Sequence, residues 1–211
     1  MDRITIIIPT FNEEENIKKA YDFVKKNEFI NYSSVNISIL FSDDNSTDKT
    51  RKYINELTKF DNKVDIYTPI SKKGLGFALI TATQSCFESD YIVFLDCDIT
   101  ITQKNFSELL SARKKNTMII GSRYLKNSIL RKNNFRLLLS KLINNIFFYL
   151  LNMPAKDSSH SLRIFDNRIK IKTQNNTHPG FFFEITKNYK KNNCSINEIP
   201  VNYLNREMGK S

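Results

Sequence analysis

Two aspartates one residue apart, Asp96 and Asp98, follow directly on an apolar run from Tyr91 to Leu95. A short apolar run of this kind reads as a buried strand. Carboxylates at the C-terminal end of a strand in an open α/β sheet stand in the crevice where such sheets bind ligands. At i and i+2 they can approach one divalent cation and leave its other positions to phosphate oxygens. A solvated acidic turn closing the strand would show the same tripeptide, so the rest of the chain has to decide between the two.

The elements that would position this pair are legible along the chain. Arg3 to Ile8 is a β-branched run ended by Pro9, the first strand. Asn12 is placed to cap a helix with Glu13, Glu14 and Glu15 in its first turn, where the helix dipole favours acids. Ile17, Ala20, Tyr21 and Val24 give that helix an apolar face. Val35 to Phe41 reads as a second strand, a helix runs from Ser46-Thr47-Asp48 to about Lys59, and Val64 to Tyr67 is a third strand. Gly74 to Phe87 is a helix, Tyr91 to Leu95 the fourth strand, Phe106 to Arg113 a helix and Thr117 to Ile120 a fifth strand. Strands alternating with helices predict an α/β fold with a largely parallel central sheet flanked by helices. No repeat or low-complexity linker divides the chain, so 1–211 reads as one domain, with the alternation ending near Lys126.

Beyond that point Arg136 to Asn152 forms an amphipathic helix. Arg136, Ser140 and Asn144 line up at four-residue spacing, and Leu138, Leu139, Leu142, Ile143, Ile146, Leu150 and Leu151 fill a wide opposite face. Its longest uninterrupted apolar stretch, Ile146 to Leu151, is far short of a membrane span. Two readings stay open: a helix packed on the sheet, or one resting in a membrane interface with Lys141 and its basic neighbours outward.

The 211 residues carry a net charge of +10, unevenly placed. Residues 1–100 hold 12 Lys and Arg against 16 Asp and Glu, and residues 101–211 hold 20 against 6. The basic second half favours an anionic partner: a phosphorylated acceptor, an anionic membrane surface or nucleic acid. Cys86, Cys97 and Cys194 are too scattered for a metal site or a disulfide framework. The chain enters a strand almost at once, so no secretory leader is expected and a reducing, cytosol-facing location is. Neither His160 nor His178 stands with a Ser or Cys nucleophile motif, and both read as structural or exposed.

Taken together, the motifs resemble one family. Ile6-Ile7-Ile8-Pro9-Thr10-Phe11-Asn12-Glu13 resembles the first-strand signature of inverting family 2 glycosyltransferases of the GT-A fold, and Ser42-Asp43-Asp44-Asn45-Ser46-Thr47-Asp48 resembles their second-strand motif. Lys73-Gly74-Leu75-Gly76 and the Asp96-Cys97-Asp98 triplet follow in order. Gly121-Ser122-Arg123-Tyr124, Arg136 with Ser140, Asp157 to Arg163, Gly180 to Glu184 and Ile199-Pro200-Val201 through Arg206 to Ser211 resemble the dolichol-phosphate mannosyltransferase-like branch. Thr100 stands where that branch often has Gln or Ser, which leaves a third metal contact open. Asp157-Ser158-Ser159-His160-Ser161-Leu162-Arg163 departs from the branch's Asp-x-Thr-Ser-Gly-Phe-Arg. The lost glycine implies a different local backbone and a different sugar or acceptor fit.

The resemblance implies a nucleotide-sugar part over about 1–125 and a basic acceptor-side lobe over about 126–211 that contains the amphipathic helix. It implies that Pro9, Thr10, Asn12, Glu13, Asp43, Asp44, Lys73, Gly74, Asp96 and Cys97 contact a GDP- or UDP-sugar. Asp96 and Asp98 would hold Mg2+ or Mn2+ on its pyrophosphate. Arg123, Arg136 and Arg206, with Ser140, would position the phosphate of a polyprenyl or dolichyl acceptor, since guanidinium forks match phosphate oxygens. Asp96, Asp98 and the three arginines are the expected catalytic set. The expected activity is transfer of one sugar to a polyprenyl monophosphate on the cytoplasmic side of a membrane, the protein being peripheral or anchored by a segment outside this chain. The alternatives are the same donor chemistry with a glycan, protein or small-molecule acceptor, or a non-catalytic nucleotide-sugar-binding module. Nucleic acid is disfavoured because the basic residues are not interleaved with a base-stacking motif.

Overall fold

In the computed structural model the described residues are 1–30, 35–70, 72–86, 88–129, 135–169 and 180–204, less the side chains of 29, 30 and 135–137. They form seven strands and six helices. In chain order these are β1 (Asp2–Thr10), α1 (Ile17–Ile30), β2 (Val35–Asp43), α2 (Thr50–Phe60), β3 (Val64–Tyr67), α3 (Leu75–Ser85), β4 (Tyr91–Phe94), α4 (Gln103–Ser111), β5 (Thr117–Ser122), α5 (Phe135–Leu150), β6 (Arg163–Asp166), α6 (Gly180–Lys191) and β7 (Ser195–Pro200). One sheet runs β3-β2-β1-β4-β6-β5-β7. Its neighbours are parallel except where β6 pairs antiparallel with both β4 and β5.

The alternation of β1 splits the core in two. Ile4, Ile6 and Ile8 face the side covered by Ile17, Ala20 and Val24 of α1, Ile54 of α2 and Phe106, Leu109 and Leu110 of α4. Ile7 points to the other face, covered by Leu79, Ile80 and Ala82 of α3 and Phe181, Phe182, Ile185 and Tyr189 of α6. A strand buried on both faces is apolar throughout, as Ile4 to Ile8 nearly is. The register sets Thr10 opposite Asp43 and Ile7 opposite Phe94, so the C-terminal ends of β1, β2 and β4 open at one edge of the sheet.

One expectation is corrected. Asn12 does not cap α1, which starts at Ile17. It holds a left-handed φ of 54° and turns its carboxamide to the second loop, where Oδ1 accepts from the Thr47 amide at 2.9 Å. Asn tolerates that conformation better than most residues. The acids that follow are likewise stitched across: Glu13 N donates to Thr50 Oγ1 at 2.8 Å, and Glu14 Oε2 accepts from Lys49 N at 3.0 Å.

Of the two readings left open for α5, the one in which its apolar face packs on the sheet does not hold. All seven residues of its wide apolar face are exposed, Leu138 at 66% and Leu150 at 77% among them, while Asn144 on the polar row is 2% exposed. The helix is inverted relative to one packed on a sheet by its leucines. The polar row is what the protein holds: Ser140 Oγ accepts from Tyr124 Oη at 2.8 Å, Asn144 Nδ2 donates to Ser159 Oγ at 2.8 Å, and Asn144 Oδ1 accepts from Ser159 N at 3.3 Å. Phe147 packs edge-on against Phe183 of α6 with ring centroids 4.5 Å apart. No helix among the described residues is long and apolar enough to cross a membrane.

Candidate functional site

A cleft of about 340 Å³ lies at the edge where β1, β2 and β4 end, lined by residues that include Thr10, Glu13, Asp44, Asp96 and Asp98. Pro9 and Cys97 also line it, as do Phe11, Ser42, Leu75 and Ala78, which carried no separate expectation. Phe11 and Ser42 lie inside the two quoted strand-end motifs. Leu75 and Ala78 come from α3 and, being apolar, gave no chemical signal.

The remaining expected donor residues stand behind this wall. Asp43 is fully buried, and its carboxylate accepts from Arg51 Nη2 at 3.0 Å, from Arg51 Nε at 3.2 Å and from the Ser46 hydroxyl. It organises the turn after β2. Asp44 reaches the cleft and ties down the entry to α3: Oδ1 accepts from Lys73 N at 3.0 Å and Oδ2 from Gly74 N at 2.9 Å. Gly74 holds φ of 92° with open space around the missing Cβ, so backbone conformation is what requires glycine there. The Lys73 ammonium sits over the Phe77 ring, 4.6 Å from its centroid.

Asp96, Cys97 and Asp98 form the turn that leaves β4. Ile99 closes it with φ of 22°, an outlier for a β-branched residue and one that costs about 1–3 kcal/mol where it occurs. Packing holds it there, since Ile99 lies against the core and the next residue is pinned. Thr100 is buried, its carbonyl accepts from Leu204 N at 2.7 Å, and its hydroxyl pairs with Tyr203, whose own hydroxyl is pushed up in pKa by burial. Thr100 therefore lies outside the cleft lining. Among the described residues no three His, Cys, Asp or Glu side chains converge. The donor set fits a hard cation that takes two carboxylate oxygens here and completes its shell with phosphate oxygens and water.

Beside this turn lies a buried ion pair. Arg123 Nε donates to Asp157 Oδ2 and Nη2 to Oδ1, both at 2.8 Å, and the Arg123 amide adds a third bond to Oδ2 at 2.9 Å. Burial alone would push the Asp157 carboxyl up, but the Arg123 fork and charge hold it below the usual range. The fork expected on an acceptor phosphate is thus engaged internally, and Nη1 makes no hydrogen bond among the described residues. The guanidinium also lies 5.7 Å from the Tyr203 ring centroid. His160 is buried against this pair and is pushed down to about 4, first by burial and then by the Arg123 charge.

Arg163, in the middle of the sheet, is fully buried. Its donors go to Thr186 Oγ1 at 3.0 Å and to the carbonyls of Ser158, His160 and Phe182, with no carboxylate partner among the described residues. Burial pushes it down to about 9, still protonated at neutral pH. It gathers the carbonyls of the loop that carries Asp157 and Ser161, so the arginine of the quoted motif is a framework residue. Ser140 stands near Arg123 through Tyr124. The side chain of Arg136, the whole of Arg206 and His178 lie outside the described residues.

A family model for glycosyl transferase family 2 matches residues 5–192. The polyprenol monophosphomannose synthase of Mycolicibacterium smegmatis is 29% identical over 218 residues, covering 99% of this chain and 80% of that protein. The dolichol-phosphate mannosyltransferase of Pyrococcus furiosus is 32% identical over 126 residues, which is 59% of this chain and 34% of that one. Among solved structures, a mannosyltransferase from Pyrobaculum calidifontis in complex with GDP-Man and Mn2+ superposes with a TM-score of 0.62 at 14% identity, over 99% of this chain and 58% of its own. Glucosyl-3-phosphoglycerate synthase from Mycobacterium tuberculosis, in complex with Mn2+, UDP and glucosyl-3-phosphoglycerate, gives 0.66 at 15%, over 99% and 73%. At these identities the structural likeness shows the GT-A fold. The chain spans about three fifths of the Pyrobaculum protein and a third of the Pyrococcus one.

Proposed function

The chain belongs to glycosyltransferase family 2, and from that premise we propose that it moves one sugar, with inversion, from a nucleotide-sugar to a polyprenyl monophosphate at a membrane surface. The observation that carries this reading is the position of α5. Its polar row, with Ser140, is tied to Tyr124 and so to the neighbourhood of Arg123, while its apolar face is exposed. A phosphate held near Arg123 would have its lipid tail beside that face.

The donor would lie in the cleft, with Asp44 and Glu13 facing its nucleoside and Asp96 and Asp98 holding Mg2+ or Mn2+ on its pyrophosphate. The metal neutralises charge that develops on the leaving nucleoside diphosphate as the sugar becomes oxocarbenium-like. The acceptor phosphate is already an anionic nucleophile at neutral pH, so the site has to supply cationic positioning in place of a strong general base. Arg123 Nη1 is the donor left for that task, with Arg136 and Arg206 as further candidates from outside the described side chains. The protein would sit peripherally on the cytoplasmic face of a membrane, drawn there by its basic second half. Names of relatives support the lipid acceptor: the Mycolicibacterium protein is named a polyprenol monophosphomannose synthase and the Pyrococcus one a dolichol-phosphate mannosyltransferase.

The test is a screen of GDP- and UDP-sugars with Mn2+ or Mg2+, with and without polyprenyl phosphate, read as labelled sugar entering the lipid phase. Transfer should need both the metal and the lipid phosphate, and EDTA should abolish it reversibly. Full transfer in EDTA, or transfer only to water-soluble acceptors, would refute the reading.

A further inference from the structure

Asp96 reaches the cleft from a turn, and a short carboxylate on a turn can rotate unless something holds one of its oxygens. Ser161 does so: its hydroxyl donates to Asp96 Oδ2 at 2.5 Å. No other described residue hydrogen-bonds that carboxylate. We propose that Ser161 is the positioning residue for Asp96, fixing Oδ2 so that Oδ1 is presented to the divalent cation on the donor pyrophosphate. The inference rests on the metal-dependent reading above.

Ser161 is itself fixed from both sides. It is 8% exposed, its carbonyl accepts from the buried Arg163 Nε at 3.4 Å, and the next residue, Leu162, accepts from Gly121 N at 3.0 Å. Upstream, the Glu198 carboxylate of β7 takes the amides of Lys156 and Asp157, each at 2.9 Å, and Asn144 of α5 clamps Ser159. The hydroxyl is thus mounted on the sheet, on β7 and on α5 at once, while Asp96 hangs from a turn. The serine held on several elements sets the rotamer of the aspartate. With Oδ2 committed to a donor, Asp96 serves a metal through one oxygen, and the ion keeps more positions for phosphate oxygens. Ser161 also stands where the resembled motif carries glycine, which has no side-chain donor to offer, so the device belongs to this sequence.

The experiment measures Mn2+ binding to the full chain with saturating GDP or UDP, read as the Mn2+ retained with the protein in equilibrium dialysis above a protein-free control holding the same nucleotide. Asp96→Asn should lose the bound ion. Ser161→Ala and Ser161→Gly should bind Mn2+ about tenfold more weakly, the lower end of the usual loss when a ligand's orienting partner is removed. Ser161→Thr, which keeps the hydroxyl, should stay within about twofold of the unaltered chain, and metal-free melting temperatures should match for the variants compared. Unaltered Mn2+ affinity in both Ser161→Ala and Ser161→Gly, with Asp96→Asn still abolishing binding, would overturn this inference and leave the metal reading standing. Undiminished binding in Asp96→Asn, or none in the unaltered chain, would overturn both.

Discussion

His160 is wedged between the Arg123–Asp157 pair and the Tyr203 ring, 6.0 Å away, with Nδ1 against the Gly121 carbonyl. Folded, it takes a proton only near pH 4, whereas an unfolded histidine does so near 6.5. Between those values the unfolded chain binds the extra proton. Stability is therefore full above about pH 6.5 and falls as the pH drops toward 4. Denaturant titrations across that range should show that slope, and His160→Gln should flatten it. An unchanged slope in the variant would assign the acid sensitivity to other groups. The position of His160 was not legible beforehand, because a histidine within a loop motif carries no mark of burial. Asp96, Asp98 and Asp44 were legible, because carboxylates at strand ends have few other reasons to be there. Asp43 has the same residue type one position earlier, and only its side-chain direction sends it to Arg51 instead of the cleft. Arg123 was legible as important while its partner was not, since nothing in a sequence pairs positions 123 and 157.

At the scale of elements, β1 to β5 follow from apolar runs and turn residues, but β6, α6 and β7 do not. Arg163 to Asp166 is four residues with a charge at either end, which hides a fully buried strand. Helix α5 shows the opposite difficulty. Its period was clear, yet periodicity says which residues share a face and is silent on which face turns inward. In water an exposed stripe of leucine and isoleucine contributes little to folding, since its area is not removed from solvent. Leu142→Ser together with Ile146→Ser should therefore leave the denaturation midpoint within about 0.5 kcal/mol of the unaltered chain, as surface changes usually do, while weakening binding to lipid vesicles. Phe147→Ser should instead destabilise, because that ring meets Phe183. Loss of folding in the double serine variant would show that the stripe is covered in solution.

Over the whole molecule, charge and apolar surface act on the same side of the sequence: the excess of 14 positive charges lies in residues 101–211, which also contain α5. Vesicle binding should then rise with the fraction of anionic lipid and fall steeply as salt increases from about 0.05 to 0.5 M, because screening shortens the reach of surface charge to a few ångströms. Sedimentation with vesicles of graded composition measures this; binding indifferent to both variables would leave the apolar stripe as the sole attachment. The sheet order has a consequence in time. Strand β4 takes its second neighbour from β6, about seventy residues further along the chain. At roughly 5–20 residues per second of synthesis, the wholly apolar edge Tyr91–Phe94 waits about 4–14 s for its partner. During that interval the nascent chain offers an unpaired, sticky strand to any neighbour, and β5, although already made, has no place to dock. Premature release of the first half, as on a truncated message, should yield an aggregating fragment even though it contains every described residue that lines the cleft.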